Sequence, residues 1–242
     1  MRSLHKTMAA AILLAGFTAG SPAMAGITIL GTRVIYDAGE KEKTVQLTNT
    51  GSTPVLAQSW IDAGAPDVDA SKVKVPFALL PPLTRIEAKK GQSLRIVYTP
   101  RIADPLPADR ESVFYLNVLE IPPVSDEASG SNHLQLAIRT RIKLFFRPGQ
   151  MEGKPRDAAA ALTWRLLQDG DASYLVAHNP SRYHVSISSA EIGSAKTETP
   201  GMVAPGDELK LKLGARASQA GPVKFEWIDD YGAAVEATAT AN

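Results

Sequence analysis

The stretch HLQLAIRTRIKLFFRP, residues 133–148, alternates apolar and basic side chains over an unusual length. The even positions are apolar at Leu134, Leu136, Ile138, Ile142, Leu144 and Phe146. The odd positions carry Arg139, Arg141, Lys143 and Arg147. Such alternation predicts a β-strand that ends at Pro148. Because a usual strand has roughly five or six residues, we expect part of this one to pair with something outside its own domain.

The chain from Gly26 onward consists of short alternating segments separated by turn residues, with ITILGTRVIY (27–36) counted as one strand. About seven strands in roughly 120 residues is typical of an immunoglobulin-like sandwich. The Pro- and Gly-rich segment 147–161 marks a boundary. Residues 156–168 fit a helix and a strand about equally well. The sequence therefore predicts an all-β protein with a first domain at 26–147, a linker at 148–155 and a second domain at 156–242.

Residues 1–25 have the pattern of a secretory signal peptide. Arg2 and Lys6 precede a short apolar run, and the small-residue sequence AMA at 23–25 predicts cleavage after Ala25. Without this segment 24 basic and 25 acidic residues remain, a net charge of −1, so we expect no nucleic-acid partner and no direct membrane insertion. The chain has no cysteine, which excludes disulfides and thiol catalysis.

No constellation in the sequence predicts catalysis, a metal or a cofactor. His178 and His184 are separated by a Pro-containing turn, which is a poor spacing for a metal. Asp67 and Asp69 lie in a polar loop that lacks the glutamate of a calcium site. A carbohydrate-binding or hydrolytic module would need exposed aromatics or paired carboxylates. We therefore expect a binding protein and no enzyme.

Several colinear segments together resemble one family. They are PFALLPPLTRIEAKKGQSLRIVYT (76–99), DRESVFYLNVLEIPP (109–123), LQLAIRTRIKLFFRP (134–148), NPSRYHVSIS (179–188) and IDDYG (228–232). These segments resemble the PapD-like periplasmic chaperones of the chaperone/usher pathway, which escort pilus subunits to an outer-membrane usher. The resemblance implies two immunoglobulin-like domains joined at an angle, a periplasmic location, and pilus subunits and the usher as partners.

The resemblance also implies two subunit-binding features. Arg33 and Lys143 match the basic residues that anchor a subunit's terminal carboxylate, and each charge-assisted bond of this kind contributes about 1.5–3 kcal/mol. Leu134, Leu136 and Ile138 match the donor-strand residues that enter a groove of the subunit. Two alternatives stay open from the residues alone: the cations are solvated strand charges, and the aliphatic residues fill their own core. Lys143 has an odd number and the three aliphatic residues have even numbers, so a straight strand would direct them to opposite faces. Either a bulge or a strong twist intervenes, or different faces of the strand serve the two tasks.

Three further residues match an ionic network between the domains of the family: Glu111, Arg147 and Asp230. The short connection PPVSDEASGSN (122–132) resembles the subclass that assembles rod-like pili. Because an unoccupied donor strand is an exposed apolar edge, we expect the protein without a subunit to self-associate or cover that edge. The competing interpretation is a two-domain structural subunit or adhesin, which would not need Arg33 and Lys143.

Overall fold

A computed structural model describes residues 26–67, 69–100, 105–123, 136–217 and 219–242. The predicted signal peptide and its cleavage site, Leu134, and most of the connection 122–132 lie outside these ranges. Within the described residues, no helix is both long and apolar enough to cross a bilayer.

The described residues of the first half of the chain form nine strands, which are divided between two packed sheets. The strands are β1 Ile27–Ile29, β2 Arg33–Asp37, β3 Lys43–Asn49, β4 Val55–Asp62, β5 Phe77–Leu80, β6 Leu83–Ile86, β7 Gly91–Tyr98, β8 Ser112–Ile121 and β9 Ile138–Arg147. One sheet has the order β1-β3-β7-β5 and the other β2-β9-β8-β4-β6. A short 3₁₀ helix, Ala70–Lys72, follows β4. This arrangement is the sandwich that the alternation predicts.

The prediction of one strand over ITILGTRVIY is wrong in detail, because the chain changes sheets within it. β1 pairs with β3, whereas β2 runs parallel to β9 in the opposite sheet. Gly31 lies at the crossing with φ +95°, a conformation that glycine adopts readily. The crossing places Arg33 directly beside Lys143 in the β2/β9 register.

β9 begins later than the predicted strand. Leu136 and Ala137 are described but do not belong to a strand. The partner strand β8 ends at Ile121, close to the pair between Glu120 and Ile138. Two prolines follow β8, and neither can donate a main-chain N–H to a ladder. The described ladder between β8 and β9 ends at the pair Glu120 and Ile138, and Leu136 lies beyond it.

The second half forms another two-sheet sandwich. Its elements are a helix α1 Pro155–Ala160 and the strands β10 Thr163–Asp169, β11 Ala172–His178, β12 Val185–Ile192, β13 Ala195–Lys196, β14 Gly201–Val203, β15 Glu208–Lys212, β16 Pro222–Ile228 and β17 Ala234–Thr240. One sheet has the order β10-β11-β15, and the other has β13-β12-β16-β17 with β14 also paired to β12. The ambiguous segment 156–168 divides into helix and strand, with Pro155 at the first helical turn, where it is tolerated.

Each sandwich has its own hydrophobic core. The first contains an aromatic cluster of Tyr36, Phe77, Tyr98, Phe114 and Phe146, and the second is built around Trp164 against Phe225. The helix α1 buries Ala158 and Ala159 in the second core. The all-β fold with two sandwich domains is confirmed, and the exact domain boundaries stay a prediction.

Candidate functional site

Arg33 and Lys143, which we call the cation pair, lie side by side at the seam between the two domains. Both bind oxygen atoms of the second domain. Arg33 Nη1 donates to the main-chain oxygen of Ile228 at 2.8 Å, and Lys143 Nζ donates to Ser186 Oγ at 2.9 Å. The structure therefore brings the two predicted anchoring residues together, and both of their acceptors are uncharged.

The cation pair has no carboxylate partner in the described part of the chain. Among the described residues, no carboxylate oxygen lies within 4.0 Å of either cation. Burial, and then the neighbouring Arg33, lower the pKa of Lys143 from 10.5 to about 8. Burial also lowers the pKa of Arg33, although Asp230, Asp229 and Glu111 oppose that effect at longer range. The Nε of Arg33 is buried and has no hydrogen-bond partner among the described residues. The site holds excess positive charge and unused donors, so it suits an anionic ligand.

A cavity of about 310 Å³ opens beside the cation pair. Residues from both domains line it, including Arg33, Tyr115, Lys143, Ser186, Met202 and Ile228. The strands β2 and β9 supply the cations, and β12 and β16 supply the facing wall. Within the described part of the chain, no three His, Asp or Glu side chains gather as a metal site. A small anionic group such as a carboxylate is the ligand that this lining favours.

The two ends of β9 differ in burial although their apolar residues share one parity. Leu144 and Phe146 are buried in the first core. Leu136 is 65% exposed and Ile138 is 58% exposed. The same strand face thus fills its own core at one end and lies open at the other, so the alternative in which Leu136 and Ile138 fill their own core does not hold.

The odd-numbered side chains at the end of β9 nearest Pro148 are directed to the domain seam. Lys143 points to Ser186, and Phe145 is buried with its ring 5.7 Å from that of His184. Described β9 shows no register shift against β8. The parity question is therefore answered by two faces: the odd face presents the cation, and the even face presents the aliphatic side chains.

Arg147 binds both Glu111 and Asp230. Arg147 Nε donates to Glu111 Oε1 at 2.8 Å, and its two terminal nitrogens donate to the Asp230 carboxylate at 2.8 and 2.7 Å. Burial alone would lower the pKa of Arg147, but Asp230 and Glu111 outweigh it and raise that pKa. The side chain of Glu111 is 1% exposed. Its other oxygen accepts from the main-chain N–H of His184 at 2.8 Å and contacts Nδ1 of the same histidine at 2.9 Å. These contacts join the two domains.

A second ionic cluster, absent from the sequence predictions, lies along β9. Arg141 donates to both oxygens of the buried Asp62 at 2.6 and 3.2 Å, and Asn117 donates to the same carboxylate at 2.7 Å. The guanidinium also lies 3.6 Å from the ring centroid of Tyr115. Burial would raise the pKa of Asp62, but the bonds from Arg141, Asn117 and Gly64 lower it. Arg141 thereby reaches across β8 to β4. In the sequence, Arg141 occupies an odd-numbered position of the strand, as Lys143 does, and this alternation was the signal that could have indicated its placement.

Comparison with known proteins gives one consistent result. The family "Pili and flagellar-assembly chaperone, PapD N-terminal domain" matches residues 26–152, and "Pili assembly chaperone PapD, C-terminal domain" matches residues 157–239. The chaperone protein FimB/FhaD of Bordetella pertussis is 45% identical over 217 residues, covering 87% of this chain and 86% of that protein. The probable fimbrial chaperone YadV of Escherichia coli is 40% identical over 243 residues, covering 97% of each chain.

Solved structures agree with these matches. The crystal structure of the YadV chaperone has a TM-score of 0.74 at 40% identity and covers 89% of this chain and 100% of its own. The SafB chaperone of Salmonella enterica, solved in complex with the SafA pilin, has a TM-score of 0.74 at 29% identity and covers 89% of this chain and 96% of the matched chain. The relatives are named as chaperones, so the predicted non-enzymatic role is confirmed.

Proposed function

Because this chain belongs to the PapD family of pilus-assembly chaperones, we propose that it captures a pilus subunit by adding a strand to it and anchoring its terminal carboxylate. The subunit's last residue binds the cation pair, and its groove receives Leu134, Leu136 and Ile138. The protein then delivers the subunit to an outer-membrane usher. After cleavage behind Ala25, it acts in the periplasm.

One observation carries this proposal: Lys143 of the cation pair, which has no carboxylate partner among the described residues, lies on the same strand as the exposed Ile138. Arg33 Nε has no hydrogen-bond partner among the described residues, and Leu136 and Ile138 leave apolar surface in water. A subunit that ends in a strand and lacks another strand would satisfy both features at once. A structural subunit or adhesin would have no use for the cation pair.

The two features contribute in different ways. Burial of three aliphatic side chains contributes about 5–9 kcal/mol before the costs of ordering are subtracted. Main-chain hydrogen bonds to the added strand supply affinity that depends little on the sequence of the subunit. The alternate side chains supply selectivity. The carboxylate supplies the opposite charge that the buried Lys143 ammonium lacks. Binding at the cation pair therefore also sets where the subunit's strand begins.

Co-expression with a candidate pilin tests the proposal. We expect a one-to-one complex that is lost when the pilin's last residues are removed. Lys143→Ala should abolish capture, whereas Lys196→Ala, which alters an exposed lysine of the second domain, should not. Size-exclusion chromatography and circular dichroism would show that both variants are folded.

The strand feature needs a separate control. Ile138→Asp should prevent capture, and Leu83→Asp, at a similarly exposed leucine on β6, should leave it intact. Full capture by Ile138→Asp would refute strand addition through β9. Full capture by Lys143→Ala would refute anchoring at the cation pair.

A further inference from the structure

The oxygens that hold the cation pair come from two directly paired residues of the second domain. Arg33 and Lys143 are opposite each other in the β2/β9 register. Their acceptors, Ile228 and Ser186, are opposite each other in the β16/β12 register. One cross-strand pair of the second domain therefore faces one cross-strand pair of the first, with the cavity beside them.

Of these two acceptors, only Ser186 can also donate from its side chain. A lysine ammonium has donors only, so Ser186 Oγ accepts in its 2.9 Å contact with Lys143 Nζ. The hydroxyl proton is then directed elsewhere, and among the described residues it has no acceptor. Ser186 is 5% exposed and lines the cavity. A buried hydroxyl with an unused proton is uncommon, because buried polar groups are normally satisfied.

We propose that Ser186 is a third binding residue for the subunit's terminal carboxylate, holding Lys143 through its oxygen and donating its own proton to the carboxylate. This inference rests on the proposed function. The carboxylate is then bound by one guanidinium, one ammonium and one hydroxyl, and the hydroxyl belongs to the second domain. The second domain contributes directly to recognition of the free acid, and the anchoring site is complete only when the two domains are in contact.

The test compares two forms of one peptide, the terminal strand of a candidate pilin as the free acid and as the amide. The ratio of their dissociation constants isolates recognition of the carboxylate, because strand addition contributes equally to both. For Ser186→Ala we expect the preference for the acid to fall about 10- to 100-fold, the usual loss for a hydrogen bond to a charged group. Ser186→Thr keeps the hydroxyl, and the adjacent cavity leaves room for the added methyl group, so it should restore most of the preference.

Ser173→Ala is the matched control. Ser173 is also a buried serine of the second domain, 1% exposed, but its hydroxyl donates to Gln168 Oε1 on the sheet of β10 and β11. Its removal imposes a similar structural loss and should leave the acid-to-amide ratio unchanged. A general destabilisation of the second domain by Ser186→Ala would weaken both peptides alike.

The outcomes separate the inference from the proposed function. If the wild-type protein does not prefer the acid, anchoring at the cation pair and the role of Ser186 are both overturned. If the wild type prefers the acid and Ser186→Ala retains that preference within about threefold, only the assignment of Ser186 is overturned. A loss in Ser186→Ala that Ser186→Thr restores, with no loss in Ser173→Ala, supports it.

Discussion

Lys143 should destabilise the unliganded protein, so Lys143→Met should unfold at a higher urea concentration at pH 7. Its pKa is lowered from 10.5 to about 8 in the folded state. At about 1.4 kcal/mol for each pKa unit, this corresponds to about 3.4 kcal/mol. Because part of the side chain reaches water, solvent screening reduces the cost to about 2 kcal/mol. Loss of the hydrogen bond to Ser186 removes about 1 kcal/mol of the gain. We expect a net stabilisation of about 1 kcal/mol.

The pH dependence identifies the cause. Between pH 8 and 10.5 the unfolded state binds more protons at Lys143 than the folded state, so the wild type gains stability as pH rises through this window. The advantage of Lys143→Met should therefore shrink between pH 7 and pH 10.5. Urea unfolding followed by circular dichroism measures it, with Lys196→Met as the exposed control. A less stable variant at pH 7, or a difference that does not change with pH, would refute the reasoning.

Three other perturbations have expected outcomes. Asp230→Ala breaks a partly buried ion pair and should lower the free energy of unfolding by about 3 kcal/mol, whereas Asp171→Ala at an exposed site should change the melting curve little. Arg141→Ala leaves the buried Asp62 carboxylate without its cation and should cost about 3 kcal/mol at pH 7 in urea unfolding. This cost should diminish below pH 3.8, because the lowered pKa of Asp62 stabilises the fold above that pH and the benefit is lost as pH falls through the folded-state pKa. Binding of a free-acid peptide should raise the pKa of Lys143, so the heat measured by calorimetry at pH 8.5 should depend on the ionisation enthalpy of the buffer, which reports proton uptake. Observed heats that are the same in every buffer would contradict it.

The main strand was accessible from sequence because strand alternation has a period of two, whereas the site residues were predicted from the resemblance to the chaperone family. Parity alone separated Lys143 from Leu136 and Ile138, and the structure presents them on different faces. The burial of Leu144 against the exposure of Ile138 was not accessible, because both have the same parity. The burial of each side chain depends on what packs against that end of β9, which is a tertiary property.

Contacts between residues that are far apart in the sequence also could not be predicted from local patterns. The division of residues 27–36 between two sheets depends on which partners β1 and β2 find, and both halves alternate in the same way. Ser186 lies 43 positions from Lys143, and Asp62 lies 79 positions from Arg141. A serine or an aspartate within an alternating strand carries no local sign of its long-range partner.

Because β9 is one continuous strand, the distance between its two binding features is fixed. Its buried half cannot slip by one residue, since Leu144 and Phe146 would then leave the core. The spacing from Lys143 to Ile138 is thereby locked at five residues, about 17 Å of extended chain. Under the proposed function, a subunit whose last residue binds the cation pair must place its groove opposite Leu136 and Ile138. The position of the last residue would thus set the register of the subunit against β9. A subunit lengthened by one residue at its carboxyl end would be displaced by one residue along β9.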